Sequence, residues 1–267
     1  MNISIGISPC PNDTYIFDAL INKKIDTEGI EFNFLFADVS QLNKWAFQSK
    51  LDVTKLSYNA FFECINNYVL LDSGSALGDN CGPLLIKLPK TDLKEDSCIA
   101  IPGKYTTANM LYSLAFPNWK NKKELLFNQI EKNILTGRVD AGVIIHENRF
   151  TYKDRGLVKV IDLGEFWQAK TNLPIPLGGI FAKRSMPFKL SKKIEILIRK
   201  SIEYANANKE SSMKFIMSHA NEMKGDVVNS HINLYVNKFS LSLGKKGKEA
   251  IKRLCVEKKI INKDIFL

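Results

Sequence analysis

The chain has 267 residues, 45% hydrophobic and 25% charged, with a formal net charge of +10. Such a balance excludes a disordered or low-complexity chain and suits one large domain or two smaller lobes. No run approaches the roughly 18 consecutive apolar residues of a membrane-spanning helix, and Met1-Asn2-Ile3-Ser4 lacks the basic stretch and apolar core of a secretion signal, so the expectation is a cytoplasmic protein without stable membrane insertion.

Asn2–Ser8 alternates Ile3, Ile5 and Ile7 and predicts a strand; Pro9-Cys10-Pro11 makes a rigid turn, after which Asn12 or Asp13 can cap a helix to about Asn22. Glu31–Ala37 reads as a strand, Val39–Gln48 as a helix, Asp52–Leu56 as a strand and Ser57–Asn66 as a helix. Alternation of this kind implies a mainly parallel sheet covered by helices. Ser73–Pro83 is rich in turn formers, and Leu84–Leu88 is an apolar strand. A second block follows: strand Cys98–Ile101, turn Pro102-Gly103, helix Thr106–Phe116, helix Gln129–Leu135, strand Asp140–Ile145, strand Val158–Asp162 and helix Gly164–Lys170. Asn172–Ala182 returns as an extended segment, and Leu190 to Leu267 reads as amphipathic helices, with Ile194, Leu197, Ile198, Ile202 and Ala205 on one face.

Two internal matches suggest that one α/β lobe occurs twice. Leu42–Asp52 and Ile130–Asp140 share a pattern of apolar helix, polar or small stop, base, apolar residue and Asp, while Ser4–Thr14 and Ile99–Thr107 both run strand, proline turn, polar helix start. Ligands of open parallel sheets bind beyond the carboxyl ends of the strands. Two such edges would bring Ser8–Thr14, Lys55–Tyr58, Lys104–Asn109 and Ile145–Asn148 around one cleft. The predicted class is therefore an α/β, two-lobed, periplasmic-binding-protein-like type II fold with a helical C-terminal segment packed on the first lobe. Residues 1–92 and 182–267 would form that lobe and 93–181 the second, joined by two crossings that act as a hinge.

The excess charge is local. Residues 1–188 carry 21 Lys+Arg and 20 Asp+Glu, and residues 189–267 carry 17 and 8; six of the bases are Arg. That predicts a solvated helical surface and no nucleic-acid partner. The five cysteines, Cys10, Cys64, Cys81, Cys98 and Cys255, are odd in number and widely spaced, so neither a disulfide framework nor a metal site is expected.

His146 follows the strand ending at Ile145 and is the best candidate base, because an imidazole with an ordinary pKa near 6.5 can accept a proton at neutral pH. His219 and His231 lie in the helical tail and read as structural or surface residues, and Glu147 and Glu165 do not make an acid–base pair. Thr106-Thr107-Ala108-Asn109 opens a helix after a strand and turn, where N–H groups and hydroxyls suit a carboxylate, although ordinary capping explains the same residues. Lys55 could be a counter-charge, since a pair at about 4 Å gains roughly 4 kcal/mol at an effective dielectric of 20, before desolvation. Alternation lets Lys55 and Ser57 face one side. Gly74–Gly82 lacks the spacing of a phosphate loop, and Trp45, Trp119 and Trp167 read as packing aromatics.

Ser8-Pro9-Cys10-Pro11-Asn12-Asp13-Thr14-Tyr15-Ile16-Phe17-Asp18-Ala19-Leu20 closely resembles the N-terminal signature of the 1,4-dihydroxy-6-naphthoate synthases of the futalosine route to menaquinone. The resemblance continues through Leu42–Ala46, Thr54–Tyr58, Gly74–Gly78, Ile101–Gly103, Thr106–Ala108, Gly137–Glu147 and Pro174–Gly179, with a departure in Ser73-Gly74-Ser75-Ala76, where relatives commonly carry a Gly-Gly pair. It implies a carbon–carbon lyase that acts on cyclic dehypoxanthine futalosine with no metal or organic cofactor. It also implies His146 as proton acceptor, with Lys55, Leu56, Ser57, Thr107 and Ala108 binding a small-molecule carboxylate; Asn43 and Thr106 complete that expected set. A monomer or weak homodimer is expected. Chorismate dehydratase, a sister family, is disfavoured by the Ser8–Asp13 start and by Ile145-His146-Glu147; a non-catalytic solute receptor is disfavoured by the absence of an export signal.

Overall fold

The computed structural model describes residues 2–220, 224–260 and 263–267. Its strands are β1 (Asn2–Ile7), β2 (Glu31–Phe36), β3 (Val53–Ser57), β4 (Tyr68–Leu70), β5 (Ala76–Gly78), β6 (Leu84–Lys87), β7 (Ile99–Ile101), β8 (Lys122–Glu124), β9 (Ala141–Ile144), β10 (Val158–Asp162) and β11 (Ile175–Lys183). The chain divides into two compact units, Met1–Leu77 with Pro176–Leu267, and Gly78–Ile175. Both breaks come earlier than the sequence boundaries at 92 and 181. β6 pairs antiparallel with β9 and β10, so it belongs to the second sheet. β11 is already pairing with β3 at Gly178.

The first unit carries a sheet of order β2-β1-β3-β11-β4, with β5 beside β11. β1 runs parallel to β2 and β3, but β11 enters antiparallel to β3 and β4. The sheet is thus mixed where a mainly parallel one was expected. β11 holds two glycines at its closest approaches. A Cβ on Gly178 would stand 2.9 Å from the Leu56 carbonyl oxygen, and one on Gly179 would stand 2.8 Å from Leu70 Cδ1.

The helix Pro11–Ile21 starts from Cys10, whose extended backbone is the N-cap, with Pro11 at its first position. Asn12 and Asp13, expected as caps, lie inside the first turn instead. From Pro11 to Leu20 every residue is buried, so the helix needs cover on all sides. The tail supplies it. Ile194, Leu197, Ile198 and Ile202 share a core with Ile16, Phe17 and Leu20, while Tyr15 packs with Ala205, Ile216, Val228 and Ile232. Each fully buried Ile or Leu is worth roughly 1.5–3 kcal/mol, against about 1 kcal/mol for a hydrogen bond such as Ser201 Oγ to the Ile16 carbonyl. Packing therefore dominates the attachment of the tail to the first unit.

The second sheet has the order β10-β6-β9-β7-β8, with β7 parallel to β8 and β9. Helix Ile130–Leu135 packs Ile130 and Ile134 into a core with Ile144, Val139 and Leu84. Among the described residues no helix is long and apolar enough to cross a membrane, and the five cysteines form no disulfide.

The internal repeat has a structural counterpart. Asp52 accepts from the Ser4 N–H (3.0 Å) and hydroxyl (2.7 Å), and Asp140 accepts from the Cys98 N–H at 2.6 Å. Each Asp ties the strand it precedes to a parallel neighbour in its sheet, β3 to β1 and β9 to the start of β7. Burial opposes ionisation of Asp52, yet the Ser4 donors and Lys183 outweigh it and hold the carboxyl below its ordinary range. A depressed folded pKa contributes stability above the unfolded value, near 3.9, and that contribution disappears as pH falls through the folded value. Asp52→Asn should therefore lower the urea midpoint at pH 7 with an unchanged slope, and the gap from wild type should close as pH is lowered through the acid range; a gap that stays constant to pH 3 would contradict this.

Candidate active site

In the first unit, β1 and β3 are parallel neighbours, so the turn after β1 and the end of β3 emerge at one edge of the sheet. Asp13 is sealed there from water. Its Oδ2 accepts from the Ser8 N–H (3.2 Å) and hydroxyl (2.7 Å), and its Oδ1 accepts from Asn12 Nδ2 (2.8 Å) and Lys55 Nζ (2.6 Å). Lys55 is itself buried, its side chain passing the space left by Gly178, where a Cβ would come within 3.1 Å of Lys55 Cε. The Lys55 ammonium thus already has a carboxylate partner within the protein.

Ser57, two residues along, stands on the same face of β3 and is held from both sides by Asn43: Asn43 Nδ2 donates to its hydroxyl (3.3 Å) and its N–H donates to Asn43 Oδ1 (3.1 Å). Leu56 is fully buried on the opposite face. The structure therefore brings Asn43, Lys55 and Ser57 together, whereas the Leu56 side chain packs in the interior.

In the second unit, β7 and β9 are parallel neighbours, so the helix start after β7 and the turn after β9 share an edge. The Thr106 hydroxyl caps helix Thr107–Ala115, accepting from the Asn109 N–H (3.2 Å) and donating to the Gly103 carbonyl (2.7 Å). Thr106 is thereby committed to building the helix end. The leading N–H groups at that end belong to Thr107 and Ala108, both buried, at the positive pole of the helix dipole.

β9 ends at Ile144, and His146 adopts a left-handed backbone with φ of 58°. Residues other than glycine use this region rarely, at about 1–3 kcal/mol, where the surroundings over-determine it. The His146 ring is half-buried, with its centroid 5.0 Å from that of Phe127 at an interplanar angle of 70°. The other histidines have packing roles in the first unit: His219 stacks on Phe36 at 4.8 Å, and His231 is fully buried with its ring edge-on to Tyr235.

The sequence reading missed Asp13 as the partner of Lys55, together with Ser8 and Asn12 around it. A signal was present, since Asp13 and Asp18 are the two charges in an otherwise uncharged ten-residue run, Pro11–Leu20, and a helix of that kind is buried. It also missed Phe127, whose ring meets that of His146, and Glu131, Arg149 and Asp162, which hold the turn that follows it.

Solved structures at low identity share the architecture. They include the ligand-binding component of an ABC-type import system from Staphylococcus aureus (12% identity, TM-score 0.74, covering 100% of this chain and 96% of that one). The Candida albicans CA3427 gene product, described as having the generic periplasmic binding protein fold, matches with 13% identity and TM-score 0.70, over 99% and 95% of the two chains. Protein AF1704 from Archaeoglobus fulgidus is more similar, with 30% identity and TM-score 0.91 over 97% of both chains. The fold is thus that of the periplasmic binding proteins. The family model described as menaquinone biosynthesis matches residues 3–257. Two 1,4-dihydroxy-6-naphthoate synthases match as well, from Thermus thermophilus (40% identical, 96% of this chain and 93% of the relative) and Streptomyces coelicolor (37% identical, 94% and 91%). This chain belongs to the menaquinone-biosynthesis family represented by those synthases, a family of enzymes.

The Asp13–Lys55 pair makes an asymmetric prediction. Removing one partner of a buried ion pair strands the other charge and costs about 3–5 kcal/mol, whereas replacing both with apolar groups of similar size can be neutral. Asp13→Ala should lose about that much in urea unfolding, and Asp13→Leu/Lys55→Met should be clearly more stable than the single variant. Equal losses would mean that the ion pair does not govern this edge.

Proposed function

We propose that this chain catalyses a carbon–carbon lyase step that converts cyclic dehypoxanthine futalosine to 1,4-dihydroxy-6-naphthoate and a dihydroxyacetone-type three-carbon product. The observation that carries this reading is the near full-length similarity to two synthases of that naphthoate. His146 is the proton acceptor. It follows the buried strand β9, at the sheet edge that also carries the Thr107–Ala108 helix start. The substrate carboxylate is received at the Thr107–Ala108 helix end on the same sheet edge, where N–H dipoles favour negative charge. Lys55, Ser57 and Asn43 bind the substrate as an oriented polar set, with Asp13 holding the Lys55 ammonium in place. His146 removes a proton, the carbon–carbon bond to the former sugar portion breaks, and the ring system gains aromaticity, which draws the reaction forward. No step requires a metal or organic cofactor.

Incubation of the purified protein with cyclic dehypoxanthine futalosine, followed by naphthoate absorbance, tests the assignment. The expected result is naphthoate release, with turnover in a folded His146→Asn variant reduced by ~10²–10⁴-fold, the usual worth of a general base. Wild-type turnover in that variant removes the base assignment. Consumption of chorismate in its place would assign the sister activity, and binding without product would favour a receptor, the reading that the likeness to ligand-binding components supports.

A further inference from the structure

Two fully buried carboxylates in the second unit, Glu131 and Asp162, have no place in the chemistry above, yet each grips a residue of the turn that follows His146. Asn148 Nδ2 donates to Glu131 Oε2 at 2.9 Å, and Arg155 pairs with the same oxygen at 2.7 Å. Arg149 pairs with Asp162 Oδ2 at 2.9 Å and also donates to the Gly82 carbonyl. We infer that Glu131 and Asp162 are positioning residues which, through Asn148 and Arg149, lock the His146 turn in its left-handed conformation.

The turn has little regular structure of its own. Helix Asn148–Thr151 has four residues, far below the length at which a helix sustains its own backbone; the Phe150 N–H donates to the Glu147 carbonyl at 2.9 Å, and the Arg149 N–H to His146 carbonyl contact is a long 3.5 Å. The anchors, by contrast, are rigid. Glu131 sits on helix Ile130–Leu135, whose Ile130 and Ile134 are locked into the same core as Ile144 of β9. The second oxygen of Asp162 caps helix Leu163–Thr171 through the N–H groups of Gly164 (2.8 Å) and Glu165 (3.3 Å). Around it the Gly82 and Gly164 backbones approach so closely that a Cβ on Gly82 would lie 2.6 Å from Gly164 N. Burial pushes the Glu131 carboxyl up, while Asn148 and Arg155 pull it back. An acid this costly to bury persists where its donors are held in place. Two independent anchors on consecutive residues leave the His146 backbone little freedom to relax to an ordinary conformation.

This inference rests on His146 being the base, so the test separates the two. Asn148→Ala, Arg149→Gln, Glu131→Ala, Glu131→Gln and His146→Asn are compared by steady-state kinetics and by the NMR signal of the His146 ring, whose shift depends on its orientation to Phe127. The expected result for Asn148→Ala and Arg149→Gln is a kcat lowered ~10–100-fold, since misplacing a reacting group by about 1 Å can cost ~10²-fold, with KM changed less than about 2-fold and the His146 signal displaced. Glu131→Gln, whose amide oxygen can still accept from Asn148, should recover most of the kcat lost in Glu131→Ala. Folded Asn148→Ala and Arg149→Gln with wild-type kcat and an unmoved His146 signal would overturn the inference; if one of these variants does not fold, the other decides. Full turnover in His146→Asn alongside a displaced signal in Asn148→Ala would overturn the base reading and leave the positioning intact.

Discussion

An ionised carboxylate shut away from water must be met by a cation and by further donors, and that requirement organises both units of this protein. Asp13, Asp18, Glu131 and Asp162 are all essentially inaccessible to solvent, and each has a basic partner: Lys55, Lys24, Arg155 and Arg149 respectively. Truncating one partner of such a pair costs several kcal/mol, a large fraction of a domain's net stability, so these contacts constrain geometry even where they add little to stability. In the first unit Asp13–Lys55 fixes the turn after β1 against β3, and Asp18–Lys24 holds the end of the helix that follows. In the second they fix the turn after β9 against the helices on either side.

The two arrangements extend the internal repeat from pattern to physics. Asp52 and Asp140 perform the same tie in their respective lobes, and both lobes deliver their polar residues at the carboxyl ends of parallel strands. The lysine-rich tail has its place in the first lobe. Its apolar faces enclose the helix carrying Asp13 and Asp18, and Ser212 donates to Asp18 at 2.6 Å, so the tail stabilises the polar edge while standing apart from it in sequence.

Local periodicity made most of the fold legible. The isoleucines of β1, the apolar stretch of β9 and the 3.6-residue stripe of helix Phe188–Ala207 all lie where their spacing indicates. β5 and β8, three residues each, carry too little pattern to announce themselves; Lys122-Lys123-Glu124 has no apolar face at all. The antiparallel entry of β11 depends on where the chain has come from, which composition does not record. The residues at 55, 57, 106, 107 and 146 lie at or beside the carboxyl-end edges of their sheets, where the strand–turn–helix pattern puts them. The pairings did not follow, because Lys55 meets Asp13 across the register of β1 and β3, and Asn148 meets Glu131 across helix and turn. Nor does histidine announce a left-handed backbone as glycine would.

The proposed role of His146 requires its ring to meet the ligand. With three histidines in the chain, single substitutions assign every imidazole signal, and titration with 1,4-dihydroxy-6-naphthoate then reads each ring separately. The account predicts that the His146 signal moves on saturation while those of His219 and His231 stay in place; a bound naphthoate that leaves His146 unmoved, or that moves a tail histidine instead, would contradict it.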